Sequence, residues 1–290
     1  MVVLLGGSLC AQEGGIEVFA AETIHRSGKR VSLTEIYKKD VLHSDSREVS
    51  TTSVDQWTEY RTVFGFDYGL KPDLQVSILV PYVARELLVG GVRSEGEGLG
   101  DIAVIGKHRL YKKDWKRGSF NVSLIGGLEL PTGETGETTG GVRNAPRAQP
   151  GTGAWNPFAG VGANVGSGRT RYDALVFYKA NTEGSQNLEN GDFFVASLSA
   201  GYRFISMEYP GPTVGVGVGL KYQHRGRAEL AGTVVGNSGS DVFFAHIGVM
   251  VHPRPDLDVA FAVDVPIHEN YKGTQLGREI LAAFSFAIRF

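Results

Sequence analysis

The chain has 290 residues, 42% of them hydrophobic and 40 of them glycine, which is too apolar for a disordered chain and lacks the Gly-X-Y period of collagen. Its 29 basic and 31 acidic residues leave a net charge of −2, so nothing points to a polyanion such as nucleic acid as partner. The single cysteine, Cys10, excludes an internal disulfide and a cysteine-built zinc site.

Residues 1–11, MVVLLGGSLCA, read as the remnant of a secretory signal peptide: a short apolar run, then small residues, with cleavage expected after Cys10 or Ala11. Residues 12–290 read as one domain, with 12–54 holding a possible N-terminal extension or plug and the first strand. No apolar run reaches the roughly 18 residues that a membrane-spanning helix requires. A membrane protein of this sequence must therefore cross as a closed barrel, the other architecture that satisfies its own backbone.

Period-two alternation dominates from about residue 30 onward, the mark of strands whose successive side chains point to opposite faces. It predicts twelve strands, at 30–38, 55–70, 73–88, 98–112, 118–130, 152–166, 169–182, 191–206, 212–226, 240–252, 256–267 and 277–290. In DLDVAFAVDVPI, Leu257, Val259, Phe261, Val263, Val265 and Ile267 share one face, and Asp256, Asp258 and Asp264 lie on the other. In TVGVGVGLKYQHR, Val214, Val216, Val218, Leu220 and Tyr222 stand opposite Gly215, Gly217, Gly219, Lys221 and Gln223. Short links at 71–72, 113–117, 167–168, 207–211 and 253–255 alternate with longer ones at 39–54, 89–97, 131–151, 183–190, 227–239 and 268–276. Short turns at one end and long loops at the other are the pattern of an all-β, transmembrane, antiparallel up-and-down barrel of the bacterial outer membrane. Tyr60, Tyr82, Trp155, Tyr178 and Tyr222 fall near the loop ends of their strands, and Tyr68, Tyr172, Tyr202 and Phe290 near the turn ends, as two interfacial girdles would.

The opposite register predicts the lumen. Its lining is expected from Glu59, Arg61, Arg85, Lys107, Arg109, Glu129, Arg171, Asp173, Lys179, Arg203, Lys221, Asp258 and Asp264, together with Glu279 and Arg289 on the last strand. The signs nearly balance, so no strong ion selectivity is expected. Gly160, Gly162, Gly215, Gly217 and Gly219 on this face either leave space or serve strand curvature.

Signals for catalysis are weak. GDIAVIGKH imitates a phosphate loop but has five residues between Gly100 and Gly106 and no Ser or Thr after Lys107. His246 and His252 share an inward face and could touch a metal, but solvated or hydrogen-bonded histidines fit the pattern as well. Ser197 or Ser199 with His246 could imitate a barrel hydrolase, a pairing that any serine-rich chain offers. No catalytic, cofactor-binding or metal-ligating residue is assigned, and no cofactor is expected.

Three stretches, DYGLKPDLQVSILVPYV (67–83), GEGLGDIAVIGKHRLY (96–111) and LELPTGE (128–134), resemble the outer-membrane proteins grouped as the MetA-pathway phenol degradation family. The resemblance implies an outer-membrane β-barrel channel or transporter for passive passage of small, aromatic or hydrophobic compounds, with no catalytic residues to carry over. Its partners would be outer-membrane lipid, the small-molecule cargo and the barrel-assembly machinery, which would read the terminal Phe290 as an assembly signal. The alternative is a structural or receptor barrel that binds a partner through its external loops.

Overall fold

The computed structural model describes residues 21–44, 47–48, 55–207 and 210–290. The expected signal-peptide remnant at 1–11 lies outside them. Twelve long strands follow in chain order. They are β1 (Lys29–Ser44), β2 (Gln56–Lys71), β3 (Leu74–Val89), β4 (in two pieces, Val92–Leu99 and Ala103–Trp115), β5 (Gly118–Glu129), β6 (Asn156–Ser167), β7 (Thr170–Lys179), β8 (Phe193–Ser206), β9 (Thr213–Arg225), β10 (Ser240–Arg254), β11 (Leu257–Tyr271) and β12 (Thr274–Arg289).

Each strand pairs antiparallel with the next, and β12 pairs with β1 from Arg30↔Arg289 to Ser44↔Thr274. The amide of Lys29 donates to the carbonyl of Phe290 at 2.8 Å, and the amide of Phe290 donates back at 3.0 Å. Closure removes the two open edges that a sheet would otherwise present.

The outward face explains why closure alone does not make this a water-soluble barrel. Leu33, Phe64, Ile78, Val104, Leu124, Val161, Val176, Leu198, Val218, Ile247, Phe261 and Phe284, one from each strand in order, are all exposed. Each would gain roughly 1.5–3 kcal/mol from leaving water, so a continuous ring of them calls for hydrocarbon. Near the loop end an aromatic row crosses four strands: Phe194–Tyr222 at 6.2 Å, Tyr222–Phe243 at 4.9 Å and Phe243–His268 at 6.1 Å between ring centroids. Tyr111 and Phe120, 5.8 Å apart, stand near the turn end.

Two of the expected long loops are instead strand. Residues 89–97 turn tightly at Gly90 and Gly91, both at positive φ (59° and 79°), and 268–276 turns at Lys272 and Gly273. Charge made 89–97 look like a loop, but Arg93 there bridges Glu86 on the neighbouring strand at 2.9 Å and Glu95 along its own strand at 2.5 Å. The first strand also extends well past residue 38, to Ser44.

Candidate functional site: the barrel interior

The inward register is built from three tiers. At the turn end, residues 21–28 enter the barrel before β1 begins. Glu22 receives Arg171 at 3.0 Å and Asn164 at 3.1 Å, and its carbonyl accepts from Lys107. The carbonyl of Ala21 accepts from Ser123, and the amide of Ile24 donates to Gln75 at 3.1 Å. Arg171 also holds Asp173 at 2.7 Å. Arg30 pairs with Asp67 at 2.6 Å, and Arg289 and His252 both reach Asp258 at 2.5 Å. Arg203 is buried beside a register shift between β8 and β9.

The middle tier is largely apolar. Ile36, Val63, Leu79, Ile105, Ile125 and Phe158 form one buried cluster with seven further residues, drawn in all from β1–β8 and β12. Phe177 lies over the space that a side chain on Gly160 would fill, 3.2 Å from the position of its Cβ. The inward side of β9–β11 is mixed, with a buried charged group beside Phe244, Ala260 and Ala262. There Lys221 pairs with Asp264, and His246 Nδ1 contacts the same carboxylate at 2.6 Å. Asp264 stands directly across from Leu281 of the apolar cluster, so the two walls share one height.

Above this, at the loop end, lies a cavity of about 270 Å³. Its floor and sides include Trp57, Pro81, Val83 and Phe193 together with Glu59, Arg61, Arg85 and Arg225. Glu59 is completely buried and receives Lys38 at 2.9 Å, Arg61 at 3.0 Å and Arg85 at 2.7 Å. Lys179 holds Glu129 at 3.1 Å. The segment between β5 and β6 folds into this opening: Arg147 reaches Asp40 at 2.6 Å, its carbonyl accepts from Trp57 Nε1 at 3.0 Å, and Gln149 is fully buried.

A single carboxylate anchors that inward segment. Asp101 accepts from the amide of Gly133 at 3.0 Å and from the amide and hydroxyl of Thr152, both at 2.7 Å. The hydroxyl of Thr132 accepts from the amide of Ile102 at 2.9 Å, and Glu134 exchanges backbone bonds with Leu99 and Gly151 at 2.8 Å. Gly133 and Gly151 approach so closely that a Cβ on either would lie within 2.6 Å of the other's backbone. The stretches 98–101 and 131–134, separate in sequence, are thus one structural unit.

Arg109 stays in register with the inward Ser123 and sits at the turn-end rim, donating to the carbonyl of Pro72 at 2.8 Å. One charged residue expected in the lumen lies elsewhere. Glu279 faces outward and pairs with Lys39 at 2.6 Å. The register shift at Lys39/Asp40 leaves Glu279 unmatched on β1 and turns Arg278 inward to Asp40 at 2.5 Å. The apolar tier was not anticipated. Its members interrupt the charged face one or two at a time, as in RYDALVFYK, where Leu175 and Phe177 lie in register with Arg171, Asp173 and Lys179. Among the described residues, no group of three or more His, Cys, Asp or Glu side chains gathers as a metal site.

The family model described as "Putative MetA-pathway of phenol degradation" matches residues 43–277. No curated protein sequence matches the chain. Among solved structures, the COG4313 outer membrane channel from Pseudomonas putida F1 superposes with a TM-score of 0.70 at 13% identity, over 95% of this chain and all of the other. The CymD monoaromatic hydrocarbon channel superposes with a TM-score of 0.41 at 10% identity, covering 92% of this chain and 89% of that one.

Proposed function

We propose that this chain, which belongs to the MetA-pathway phenol degradation family, is a bacterial outer-membrane channel for passive passage of small aromatic or hydrophobic compounds. The observation that carries this reading is the apolar tier at mid-height in a twelve-stranded barrel. A barrel of this size is wider than the eight-stranded kind that side chains fill. A purely ionic interior would suit hydrated solutes, and every apolar solute would have to displace bound water. Here a small ring leaves an aromatic-walled vestibule and meets apolar side chains directly. Hydrated ions meet this tier as a barrier, because its apolar groups replace none of the lost hydration and the charged groups at the same height, Lys221, Asp264 and His246, are bonded to one another.

The test is uptake. Cells that express the chain are expected to take up a labelled aromatic solute faster than cells without it, while the purified barrel in planar bilayers shows small ionic conductance. No gain in uptake over the control cells would sink the channel reading. Large, unselective conductance would replace it with a general pore.

A further inference from the structure

At the turn end, β4 runs on past the last residue that β3 pairs with, His108, and residues 110–117 are exposed on both faces. The outward side of this stretch alternates Tyr111, Lys113 and Trp115, opposite Val122, Phe120 and Gly118 of β5. Trp115 lies across Gly118, where an added Cβ would come within 2.6 Å of the indole nitrogen. Lys116 and Arg117 form the turn. The amide of Gly168 donates to the carbonyl of Arg117 at 2.7 Å, which sets Arg169 on the next turn beside it. Asp114 answers Lys112 at 2.8 Å. Lys113, Lys116, Arg117 and Arg169 are exposed, and no carboxylate among the described residues pairs with any of these four.

On the membrane side of these two turns the outer wall is hollow. Phe120, Val165, Tyr172 and Ala200 form one outward row across β5–β8, and Val122, Ala163, Ala174 and Leu198 form the next. Ala163, Ala174 and Ala200 are too short to fill the space between Phe120, Tyr172 and Leu198, which leaves an open, apolar groove of about 700 Å³. Phe120 and Tyr172 each stand three residues from a turn cation, Arg117 and Arg169, or about 10 Å along a strand. Cations at the water edge, aromatic rings at the boundary and an apolar groove beyond them match a phospholipid whose headgroup is negative. A zwitterionic lipid would fill the groove equally well, but its own ammonium group would face the four cations.

We propose that this groove holds an anionic phospholipid of the periplasmic leaflet, with its acyl chains over Ala163, Ala174 and Ala200 and its phosphate between Arg117 and Arg169. The site rests on the outer-membrane placement, with the short turns toward the periplasm, and not on passage through the lumen.

Native mass spectrometry of the refolded barrel, released from micelles holding equal amounts of dioleoylphosphatidylglycerol and dioleoylphosphatidylcholine, tests the site. The anionic lipid is expected to be retained at least about fivefold over the zwitterionic one, the factor that a single cation near an anionic headgroup supplies. R117Q/R169Q is expected to bring that ratio toward one. A174L fills the groove and is expected to lower retention of both lipids together, with their ratio kept. R93Q removes an exposed cation beside the turn at 90–91 and is expected to change neither quantity. Heat-modifiable gel mobility checks that each variant is a folded barrel. A ratio unmoved in folded R117Q/R169Q, retention unmoved in folded A174L, or a ratio that R93Q narrows as far as R117Q/R169Q does, overturns the proposal. Retention of neither lipid would remove the membrane placement as well, whereas equal retention of both keeps that placement and removes only the site.

Discussion

At the scale of single residues, Glu59 organises the upper interior. Its carboxylate neutralises Lys38, whose side chain is fully buried, and fixes Arg61 and Arg85 on the vestibule wall. Removing one member of a buried ion pair strands the other without solvent. E59Q is therefore expected to destabilise the barrel by about 3–5 kcal/mol, measured by urea unfolding in lipid. The double variant K38M/E59L should recover part of that loss, and no recovery would mean that the charge pairing is not what the site requires. These charged positions were legible in the sequence because a carboxylate or guanidinium on an alternating strand announces which side it occupies. The apolar interior was not, because an isoleucine on the inward face looks the same as one facing lipid until the register of its neighbours is known. Glu279 shows the converse failure: one register shift sends a charged side chain to the other face.

At the scale of elements, two segments enter the barrel from opposite ends. The segment 21–28 is held by Glu22 on Arg171 and Asn164. E22Q keeps the size of the side chain and weakens its two charge-assisted bonds with Arg171, so single-channel records should show higher or more fluctuating conductance than the parent. Unchanged records would mean that backbone contacts alone hold the segment. The segment between β5 and β6 hangs on Asp101. D101A leaves the amides of Gly133 and Thr152 without their acceptor, a loss on the order of 1–3 kcal/mol. Limited proteolysis should then cut between residues 130 and 155 sooner than in the parent, and equal cutting rates would argue against the anchor. The strands themselves were readable from alternation, since their period survives in nearly every stretch. The tight turn at 90–91 was missed because a cross-strand charge pair and loop composition look alike in one dimension, and the one at 272–273 because polar residues such as Glu269 and Asn270 read as loop although they continue the strand.

At the scale of the whole molecule, the fold separates two environments, and substitutions should respond to which one they meet. Leu198, in the middle of β8, is among the most exposed apolar residues of the outer face. L198R is expected to cost about 2–4 kcal/mol, the range for a cation near the hydrocarbon midplane, in a refolding titration with lipid vesicles. A negligible cost would contradict the lipid-facing assignment. Closure adds a second expectation. Phe290 contributes a reciprocal pair of backbone bonds to Lys29. Deleting Phe290 should slow conversion to the heat-modifiable folded form, and conversion at the parental rate would show that closure does not depend on this pair.

The joining of residues 98–101 to 131–134 and 151–152 also constrains how such chains can be recombined. A hybrid that draws the first stretch from one relative and the inward segment from another would bring together a carboxylate and a set of amides shaped for different partners. Crossovers between residues 101 and 131 should therefore yield fewer working barrels than crossovers just outside that interval, at the turn before β3 or the one after β6. The two motifs behave as one heritable unit, although some thirty residues of strand and turn lie between them.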